Sequence, residues 1–372
     1  MKKIAFVTLK TFSGVGGIEQ FNKYVAKCLQ ELGANGKYKK KVFSIYDDSP
    51  DAAIIEAKNF KGYKQRKVFA VLDIIRQVRG FDIVILGHVL LYPVGDILNF
   101  ISKKTKWYFF AHGIEVWNKI PERQKKALQR CNGVLSVSRF TADALIANQG
   151  VMKDKIEIFY NSLDSKRLQN ANDNLVQNLK IKYNLCEEDT VFLTVSRMSE
   201  KERDKGYPSA IKAMAELVRE HKNVKHILIG TSTPEELVYI NRLVAEHKLE
   251  GHVILAGYVS DEDLPNYYAL ADVFVMPSRK EGFGIVFIEA AWYGLQVIAG
   301  NKDGSKEAIL YGEMGILVNA DVQEEVNAAM KAQLGYRKTD SIIARNRHLI
   351  NDNFSYKKML ERLENFIEKN TN

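Results

Sequence analysis

Short apolar runs alternate with amphipathic stretches along almost the whole chain. In the first half the apolar runs lie at 3–9, 42–46, 82–86, 106–110, 133–137 and 155–160. They are nearly continuous in Val, Ile, Leu and Phe, which is typical of parallel strands covered on both faces. Because helical patterns separate most of these runs, the alternation predicts a doubly wound α/β domain.

The first predicted strand leads into a glycine-rich turn at 13–17 and then into a helix that begins near Ile18. Gly33 is placed to end this helix. Its apolar positions form a single stripe at helical spacing, made of Phe21, Tyr24, Val25, Cys28, Leu29 and Leu32.

Within that turn, Gly16 and Gly17 can bring backbone N–H groups against a phosphate or a sugar at the start of the helix. The turn does not match the GxGxxG dinucleotide fingerprint, because Glu19 stands at the last glycine position. Any turn between a strand and a helix favours glycine, so a ligand-binding role and a purely structural role both stay open.

The same alternation starts again in the second half. Strands are predicted at 190–196, 224–229, 253–255, 272–276, 296–299 and 316–318, and helices at 207–220, 234–247, 261–270, 284–292 and within 322–369. The polar stretch 170–174 interrupts the rhythm, so we predict a linker at 166–185 between domains at 1–165 and 186–350. Two such halves predict a ligand site in the cleft between the domains, at the carboxyl ends of their strands.

The net charge of +9 over 372 residues hides an asymmetry. Residues 1–150 carry 25 Lys+Arg against 12 Asp+Glu, a net of +13, whereas residues 151–372 carry 29 against 33, a net of −4. Such a positive field favours an acidic partner, which is a phosphorylated acceptor, an anionic membrane surface or nucleic acid. A basic face that serves only solubility explains the charge equally well. No nucleic acid is expected, because the aromatic run 107–110 is a predicted core strand.

Cysteine usage and the amino terminus favour a cytoplasmic protein. The three cysteines, Cys28, Cys131 and Cys186, are widely spaced without a CxxC pair, so we expect buried apolar side chains rather than disulfides or a zinc site. The apolar run 4–9 is too short for a signal peptide, and no run reaches the roughly 18 residues of a membrane span. No metal site and no cofactor are predicted.

The strongest local signal is the segment 277–290, in which a buried strand ends at Pro277 and a helix opens near Gly284. Glycines let the backbone approach a ligand, and the helix start offers free N–H groups to an anion. Glu281 on the loop and Glu289 in the second helical turn are placed at the same site. A surface charge and a helix-face residue are the structural alternatives for the two glutamates.

Two cations follow the first strand of the second half. Arg197 closes that strand, and Lys205 stands just before the next helix. Together they can neutralise a diphosphate, Arg through a fork of hydrogen bonds and Lys as a point charge. In the first half, His112 comes directly after a buried strand, where it is placed to donate a hydrogen bond to a sugar or to a leaving phosphate.

Together these signals resemble the retaining glycosyltransferases of family 4. Glu281 and Glu289, with seven residues between them, look like that family's EX7E motif, and Arg197 and Lys205 match its diphosphate-binding pair.

The resemblance extends to the first half. His112-Gly113 is similar to the family's N-domain histidine, and Gly16-Gly17 is similar to its first glycine-rich loop. The stretch 161–164 resembles the family's Asn-Gly-Val-Asp turn, with Ser162 in place of glycine. The matches follow the family's order over essentially the whole chain.

The resemblance implies a GT-B fold, with two Rossmann-like parallel-sheet domains facing a central cleft and a last helix, about 352–372, that crosses back to the first domain. It implies a metal-independent, retaining hexosyltransferase that uses a nucleotide-sugar, UDP-sugar being favoured over GDP-mannose. The acceptor would be a glycan or a lipid-linked molecule of cell-surface polysaccharide or lipopolysaccharide synthesis. Such an enzyme would be cytoplasmic, with peripheral association at the inner membrane face.

By the same resemblance, the catalytic residues are His112, Glu281, Arg197 and Lys205. Glu289 would contact the ribose and Glu281 the sugar hydroxyls. Donor binding would further involve the backbone beside the distal phosphate and the residues that meet the base, namely Gly282, Phe283, Gly284, Ile285, Tyr258 and Val259, together with Gly16 and Gly17.

Three other readings compete with this one. A sugar-nucleotide epimerase would share the fold but needs an acid/base set that the sequence does not offer. The incomplete glycine fingerprint argues against a dinucleotide-dependent oxidoreductase. A non-catalytic binder using the basic first half would leave the residues of the second half unexplained.

Overall fold

The computed structural model describes residues 1–14, 16–34, 36–166, 168 and 171–371. Val15 of the glycine-rich turn, Asn170 of the predicted linker and the final residue, Asn372, lie outside the described residues. Contacts between residues divide the chain into two units. One comprises Met1–Ser162 and Phe354–Asn372, and the other comprises Leu163–Asn353.

The first unit contains a seven-stranded sheet in which all neighbouring strands are parallel. Its strands are β1 (Lys2–Thr8), β2 (Tyr38–Ser44), β3 (Phe60–Gly62), β4 (Ile83–Leu86), β5 (Lys106–Ala111), β6 (Gly133–Ser136) and β7 (Ile156–Ile158). Their order across the sheet is β3-β2-β1-β4-β5-β6-β7, which is a doubly wound topology with its reversal between β1 and β4.

Helices cover this sheet. They are α1 (Gly17–Leu32), α2 (Lys67–Val78), α3 (Tyr92–Ile101), α4 (Ile114–Trp117), α5 (Glu122–Arg130) and α6 (Arg139–Gln149). The central strands β1, β4, β5 and β6 are largely buried, and residues such as Val7, Val84 and Phe109 lie in the core with the inner faces of α2 and α3. Such two-sided burial explains why the strand runs are continuous rather than alternating.

The second unit repeats the plan with a six-stranded, all-parallel sheet. Its strands are β8 (Thr190–Val195), β9 (Val224–Ile229), β10 (Val253–Gly257), β11 (Val273–Met276), β12 (Gln296–Gly300) and β13 (Gly315–Val318), in the order β10-β9-β8-β11-β12-β13. Its helices are α7 (Asp173–Lys182), α8 (Tyr207–Glu220), α9 (Pro234–Glu246), α10 (Leu264–Leu270), α11 (Ile285–Trp292), α12 (Ser305–Ala308), α13 (Gln323–Lys331) and α14 (Asp340–Phe354).

The last helix, α15 (Tyr356–Thr371), belongs to the first unit and packs beside α1. Phe366 and Ile367 are buried there, and the Phe366 ring meets Tyr108 of β5 edge-on, with 4.8 Å between ring centroids. Tyr108 also donates a hydrogen bond to the Asn370 side chain (2.9 Å). The end of the chain therefore completes the covering of the first sheet.

The predicted linker 166–185 contains a helix, so that part of the prediction is wrong. The Asn172 side chain accepts hydrogen bonds from the N–H groups of Asn174 (3.0 Å) and Leu175 (3.3 Å) and caps α7. The helix then packs against α10. The hydroxyl groups of Tyr183 and Tyr267 form a hydrogen bond of 2.9 Å. The sequence pattern did not predict this helix because its residues are mostly polar. The helix is stabilised by the Asn172 cap and by packing against α10.

One smaller prediction also fails, and one short strand was not predicted. Cys28 and Cys131 are buried as expected, but Cys186 is exposed. The short edge strand β3 was missed, because its three residues are too few to produce a recognisable apolar run. Among the described residues, no helix has the length and apolar content needed to cross a membrane.

Candidate functional site

In each sheet, several candidate residues follow strands that lie at or next to the point where the strand order reverses. In the first unit, the segments after β1, β4 and β5 carry Gly16, Gly87 and His112. In the second unit, the segments after β8 and β11 carry Lys205 and Glu281. The carboxyl ends of the strands beside such a reversal form the usual ligand crevice of a doubly wound sheet.

In the second unit, Lys205 and Glu281 form an ion pair although 75 residues lie between them in the chain. Both side chains are largely covered, each with 17% of its surface exposed. Burial by itself would lower the pKa of Lys205, but the Glu281 carboxylate holds that pKa above its ordinary value. Lys205 therefore stays protonated on the connection between β8 and α8.

Lys205 is positioned by a short 3-10 helix, Glu200–Lys205. Arg203 fixes this helix by a forked ion pair with buried Glu236, at 2.8–3.1 Å. Gly206 then turns the chain with a φ of +88°, and a Cβ there would lie 2.2 Å from the Pro277 carbonyl oxygen. Glycine is required at this position because the two segments meet backbone to backbone.

A buried carboxylate holds the loop that carries Glu281. Asp303 accepts hydrogen bonds from the Ser278 hydroxyl (2.6 Å), the Glu281 N–H (2.8 Å) and the Ser305 N–H (2.9 Å). Burial raises the pKa of Asp303 to about 6, although the bonds from Ser278 and Ser305 oppose that change. Asp303 thus fixes the backbone of Glu281.

The helix α11 begins next to this loop. Gly284 caps it with a φ of +87°, and a Cβ there would lie 2.4 Å from the Phe287 ring. The predicted ligand-binding segment Gly282–Ile285 therefore forms the helix start, with Phe283 buried and anchoring it. The first N–H groups of a helix have no intrahelical partner, so this end can hold an anion.

Arg197 lies on the connection between β8 and α8, and Glu289 lies on α11, which follows β11. Each side chain contacts a residue outside the Lys205–Glu281 pair. Arg197 follows β8, is mostly exposed and pairs with Glu202 at 2.8 Å. Glu289 on α11 accepts a hydrogen bond from Tyr268 (3.0 Å), whose ring stacks on Tyr293. In the structure, Arg197 thus contacts Glu202, and Glu289 contacts Tyr268.

Tyr258 and Val259 directly follow β10, the edge strand two places from β8. Tyr258 is exposed, with 57% of its surface accessible, and Val259 is half-buried. An exposed aromatic ring at the carboxyl edge is suited to stacking on a flat ligand.

In the first unit, the ring of His112 lies against Phe21, and its Nε2 is 2.9 Å from the Gly87 carbonyl oxygen. A carbonyl only accepts, so Nε2 carries the proton and Nδ1 is the acceptor of the neutral ring. Burial lowers the pKa of His112 to about 4, which keeps the ring neutral near pH 7. The expectation that His112 donates to a ligand is therefore corrected: its remaining nitrogen accepts.

Gly16 caps α1, and its neighbour Gly17 has open space where a Cβ would stand. The preceding loop is held by Asp47, whose carboxylate accepts from the N–H groups of Thr11 (2.7 Å) and Ser13 (2.8 Å). Burial would raise the pKa of Asp47, but hydrogen bonds, first from Ser13, hold it below the ordinary value. Asp47 thus shapes the loop that leads to the two glycines.

Neither Asp303 nor Asp47 is among the candidate site residues predicted from the sequence. Each lies three residues after the end of a buried strand, β12 for Asp303 and β2 for Asp47. The signal available in the sequence was an acidic residue a few positions after a predicted strand. Such side chains often accept hydrogen bonds from backbone N–H groups and so fix the neighbouring loop.

Two family models match the chain one after the other. Residues 15–167 match the model described as "Glycosyltransferase Family 4". Residues 176–347 match the model described as "Glycosyl transferases group 1".

Among curated proteins, the chain is 29% identical to mannosylfructose-phosphate synthase of Agrobacterium fabrum, over 54% of this chain and 44% of that protein. It is 27% identical to the GDP-mannose-dependent alpha-(1-6)-phosphatidylinositol monomannoside mannosyltransferase of Mycolicibacterium smegmatis, over 69% and 68% of the two chains. It is also 27% identical to the lipopolysaccharide 1,2-N-acetylglucosaminetransferase of Salmonella typhimurium, over 53% and 51%. The first and third matches thus span only about half the length of those relatives.

Solved structures share the fold over nearly the full chain. HepE from Anabaena, crystallised with UDP, superposes with a TM-score of 0.79 at 19% identity, over 99% of this chain and 100% of that one. The catalytic domain of starch synthase IV from Arabidopsis thaliana, bound to ADP and acarbose, gives a TM-score of 0.76 at 13% identity, over 100% and 99%.

Proposed function

We propose that this chain, a glycosyltransferase of the GT-B type, moves a hexose from a nucleotide-sugar to a glycan or lipid-linked acceptor with retention of anomeric configuration. The observation that carries the proposal is the covered Lys205–Glu281 pair beside the start of α11. A fixed cation and a helix start together suit a diphosphate, and a carboxylate beside them suits sugar hydroxyls.

The donor is proposed to be a UDP-sugar, with GDP-mannose as the second choice. Support for UDP comes from HepE, whose structures contain UDP and UDP-glucose. Support for GDP-mannose comes from the mycobacterial mannosyltransferase named above. In this proposal Glu289 binds the ribose, and Tyr258 and Val259 meet the base.

The chemistry follows from where charge develops. Cleavage of the anomeric C–O bond leaves positive charge on the sugar ring and negative charge on the departing nucleoside diphosphate. Lys205, Arg197 and the N–H groups of Gly284 and Ile285 would stabilise that diphosphate, as preorganised donors do for a developing anion. Arg197 would exchange its surface partner Glu202 for phosphate.

The acceptor hydroxyl then attacks the same face from which the diphosphate leaves, and its proton passes to the departing phosphate oxygen. Glu281 would orient the sugar through its hydroxyls. His112 would accept a hydrogen bond from a sugar hydroxyl through Nδ1, and Gly16 and Gly17 would let the sugar approach the first loop. With cations supplied by the chain, we propose that no metal or cofactor takes part.

The acceptor is proposed to belong to cell-surface polysaccharide or lipopolysaccharide synthesis, at the cytoplasmic side of the membrane. The lipopolysaccharide and phosphatidylinositol-mannoside enzymes among the relatives support this class. The basic first half, with its net charge of +13 over residues 1–150, suits a phosphorylated acceptor.

A thermal-shift panel with UDP, GDP, ADP and NAD, paired with donor-hydrolysis and transfer assays, tests the proposal. Ligand at about 100 times its Kd stabilises by about 2.7 kcal/mol, which raises the Tm by a few degrees. We expect a shift with UDP, or else GDP, that Lys205→Ala and Arg197→Ala weaken. Lys205→Ala and Glu281→Ala should each reduce turnover by about 100-fold or more.

The matched control is Lys201→Ala, which removes an exposed lysine from the same short helix. It should keep both the nucleotide shift and the turnover. A shift with NAD alone would replace the proposal with an oxidoreductase, and near-normal turnover of Lys205→Ala with an unchanged unfolding temperature would refute the site.

A further inference from the structure

A second ion pair joins the two segments that carry Lys205 and Glu281. Asp204 precedes Lys205 in the short 3-10 helix, and Lys280 precedes Glu281 in the loop after β11. The Asp204 carboxylate lies 2.5 Å from the Lys280 ammonium. Two consecutive residues of one segment therefore pair with two consecutive residues of the other, and the sign of the charge alternates along each segment.

Arg279 binds the same carboxylate from the neighbouring position in the loop. Its Nε donates to the Asp204 side chain at 3.1 Å, and its backbone N–H donates to the Asp204 carbonyl oxygen at 2.8 Å. Its guanidinium also reaches Asp321, at 3.5 Å, beyond the end of β13. Asp204 is thus held by two consecutive cations of the loop that carries Glu281.

The alternation of charge fixes the register between the two segments. In the observed pairing each carboxylate faces an ammonium, whereas a shift by one residue would place Asp204 opposite Glu281, or Lys205 opposite Lys280. Like charges at such short distances repel each other. Successive side chains of a 3-10 helix point about 120° apart, so Asp204 and Lys205 can each contact a different residue of the loop.

The outer pair lies nearer to solvent than the inner one. Asp204 has 27% of its side chain exposed and Lys280 has 49%, against 17% for both Lys205 and Glu281. Burial would raise the pKa of Asp204, but Lys280 and Arg279 hold it below its ordinary value, so the carboxylate is charged at neutral pH. Partly exposed ion pairs contribute little to stability, so we expect this pair to matter for position more than for folding.

We propose that Asp204 is a positioning residue of the donor site, which holds the helix of Lys205 and the loop of Glu281 at the separation that donor binding requires. Asp204 acts through these two residues, so the inference rests on the proposed function. Without its side chain the backbone bond from Arg279 remains, but the ties to Arg279 and Lys280 through the carboxylate are lost. A small displacement of groups that stabilise developing charge lowers turnover strongly.

The experiment compares Asp204→Ala, Asp204→Asn and Asp204→Glu with the wild type in the full chain. Turnover is measured as nucleotide released from saturating UDP-glucose and GDP-mannose, and affinity by titration with UDP and GDP. With the donor that the wild type uses, the alanine and asparagine variants should lower kcat at least about tenfold. Asp204→Glu keeps the charge and should recover part of that loss. Because the pair is partly exposed, the Tm without nucleotide should fall by no more than about 2–4 °C.

The matched control is Glu220→Ala. Glu220 is the last residue of α8, and its carboxylate pairs with Lys331 at 2.7 Å on the surface of the same unit. The substitution removes an ion pair of the same kind from the other end of the helix that follows Lys205. It should leave both kcat and nucleotide affinity unchanged.

A double-mutant cycle separates positioning from a general structural effect. If Asp204 acts through Lys205, Asp204→Ala should cause little further loss once Lys205 is replaced by alanine, so the two effects should not multiply in the double variant. The cycle is measured on nucleotide affinity as well as on kcat, so it does not depend on residual turnover.

The outcomes distinguish this inference from the proposed function on which it rests. Near-normal kcat of Asp204→Ala, or effects of the two substitutions that multiply, would overturn the positioning role, while the loss in Lys205→Ala would still support the donor site. Near-normal turnover of Lys205→Ala would refute the donor site and the positioning role together.

Discussion

At the scale of single residues, one buried histidine links the stability of the second unit to pH. His226 lies on β9 with no exposed surface, and its Nε2 is 2.9 Å from the Thr194 hydroxyl. That hydroxyl gives its own proton to the Val275 carbonyl oxygen (2.5 Å), so Nε2 is the donor. Burial lowers the pKa of His226 to about 3, so the folded state keeps the ring neutral.

Lowering the pH should therefore destabilise the fold through His226. In the unfolded chain His226 binds a proton below its ordinary pKa of about 6.5, whereas in the folded state it binds one only near pH 3. The free energy of unfolding therefore falls as the pH is lowered through that range. From pH 7.5 to pH 5 the loss is about 2 kcal/mol. His226→Gln, which keeps an N–H donor for Thr194, should remove this part of the pH dependence in urea unfolding.

The comparison between wild type and variant isolates His226 from other titrating groups. His112 acts with the same sign, whereas Asp303, whose pKa is raised to about 6, acts with the opposite sign between its ordinary pKa and that value. His348→Gln on the surface is the control substitution, measured in the same urea-unfolding series. Equal pH dependence of His226→Gln and the wild type would show that His226 does not carry the effect.

At the scale of elements, α15 shows how a terminal helix becomes part of a domain core. Its inner side carries Met359, Leu363, Phe366 and Ile367, all buried, whereas its other positions are mostly polar. The helix packs on α1 and reaches β5 through Tyr108. Through this packing the last helix of the chain contacts the first helix, α1, and the strand β5.

Phe366→Ala should lower the free energy of unfolding by about 3–5 kcal/mol, because it leaves a cavity beside Tyr108. Phe100→Ala removes the same ring from the exposed outer face of α3 and should change it by less than about 0.5 kcal/mol. Chemical unfolding of both variants measures the difference. Similar effects of the two substitutions would mean that α15 contributes little to the fold.

At the scale of the whole molecule, the chain forms two units, each with its own hydrophobic core. The sheet β8 to β13, its core and the Lys205–Glu281 pair all lie within the continuous segment 163–353. The first unit is discontinuous, because it needs α15 from the end of the chain.

Residues 163–353 produced alone should therefore fold cooperatively and keep a thermal shift with the nucleotide that stabilises the full chain. Residues 1–162 alone should be unstable, because the surface of α1 that packs against α15 would be exposed to water. Circular dichroism and thermal shift on the two fragments check this. An unfolded 163–353 fragment would show that the unit depends on the rest of the chain.

Much of the fold followed from local sequence. Continuous apolar runs marked twelve of the strands, since a strand buried on both faces leaves little room for polar residues. Lys205 and Glu281 were predicted to lie on the connections that follow β8 and β11, and the two sites were expected to be close because parallel strands bring their carboxyl ends to one edge.

Periodicity within a few residues is thus enough to predict the two doubly wound sheets and the segments that bear the candidate site. The folded structure was needed to show that Asp303 and Asp47 hold the site loops, that Nδ1 of His112 is an acceptor, and that a helix, α7, forms within the predicted linker. It alone showed that apolar residues of α2 and α3 face outward. These features depend on partners far along the chain, and only the folded arrangement of the strands and helices brings such partners together.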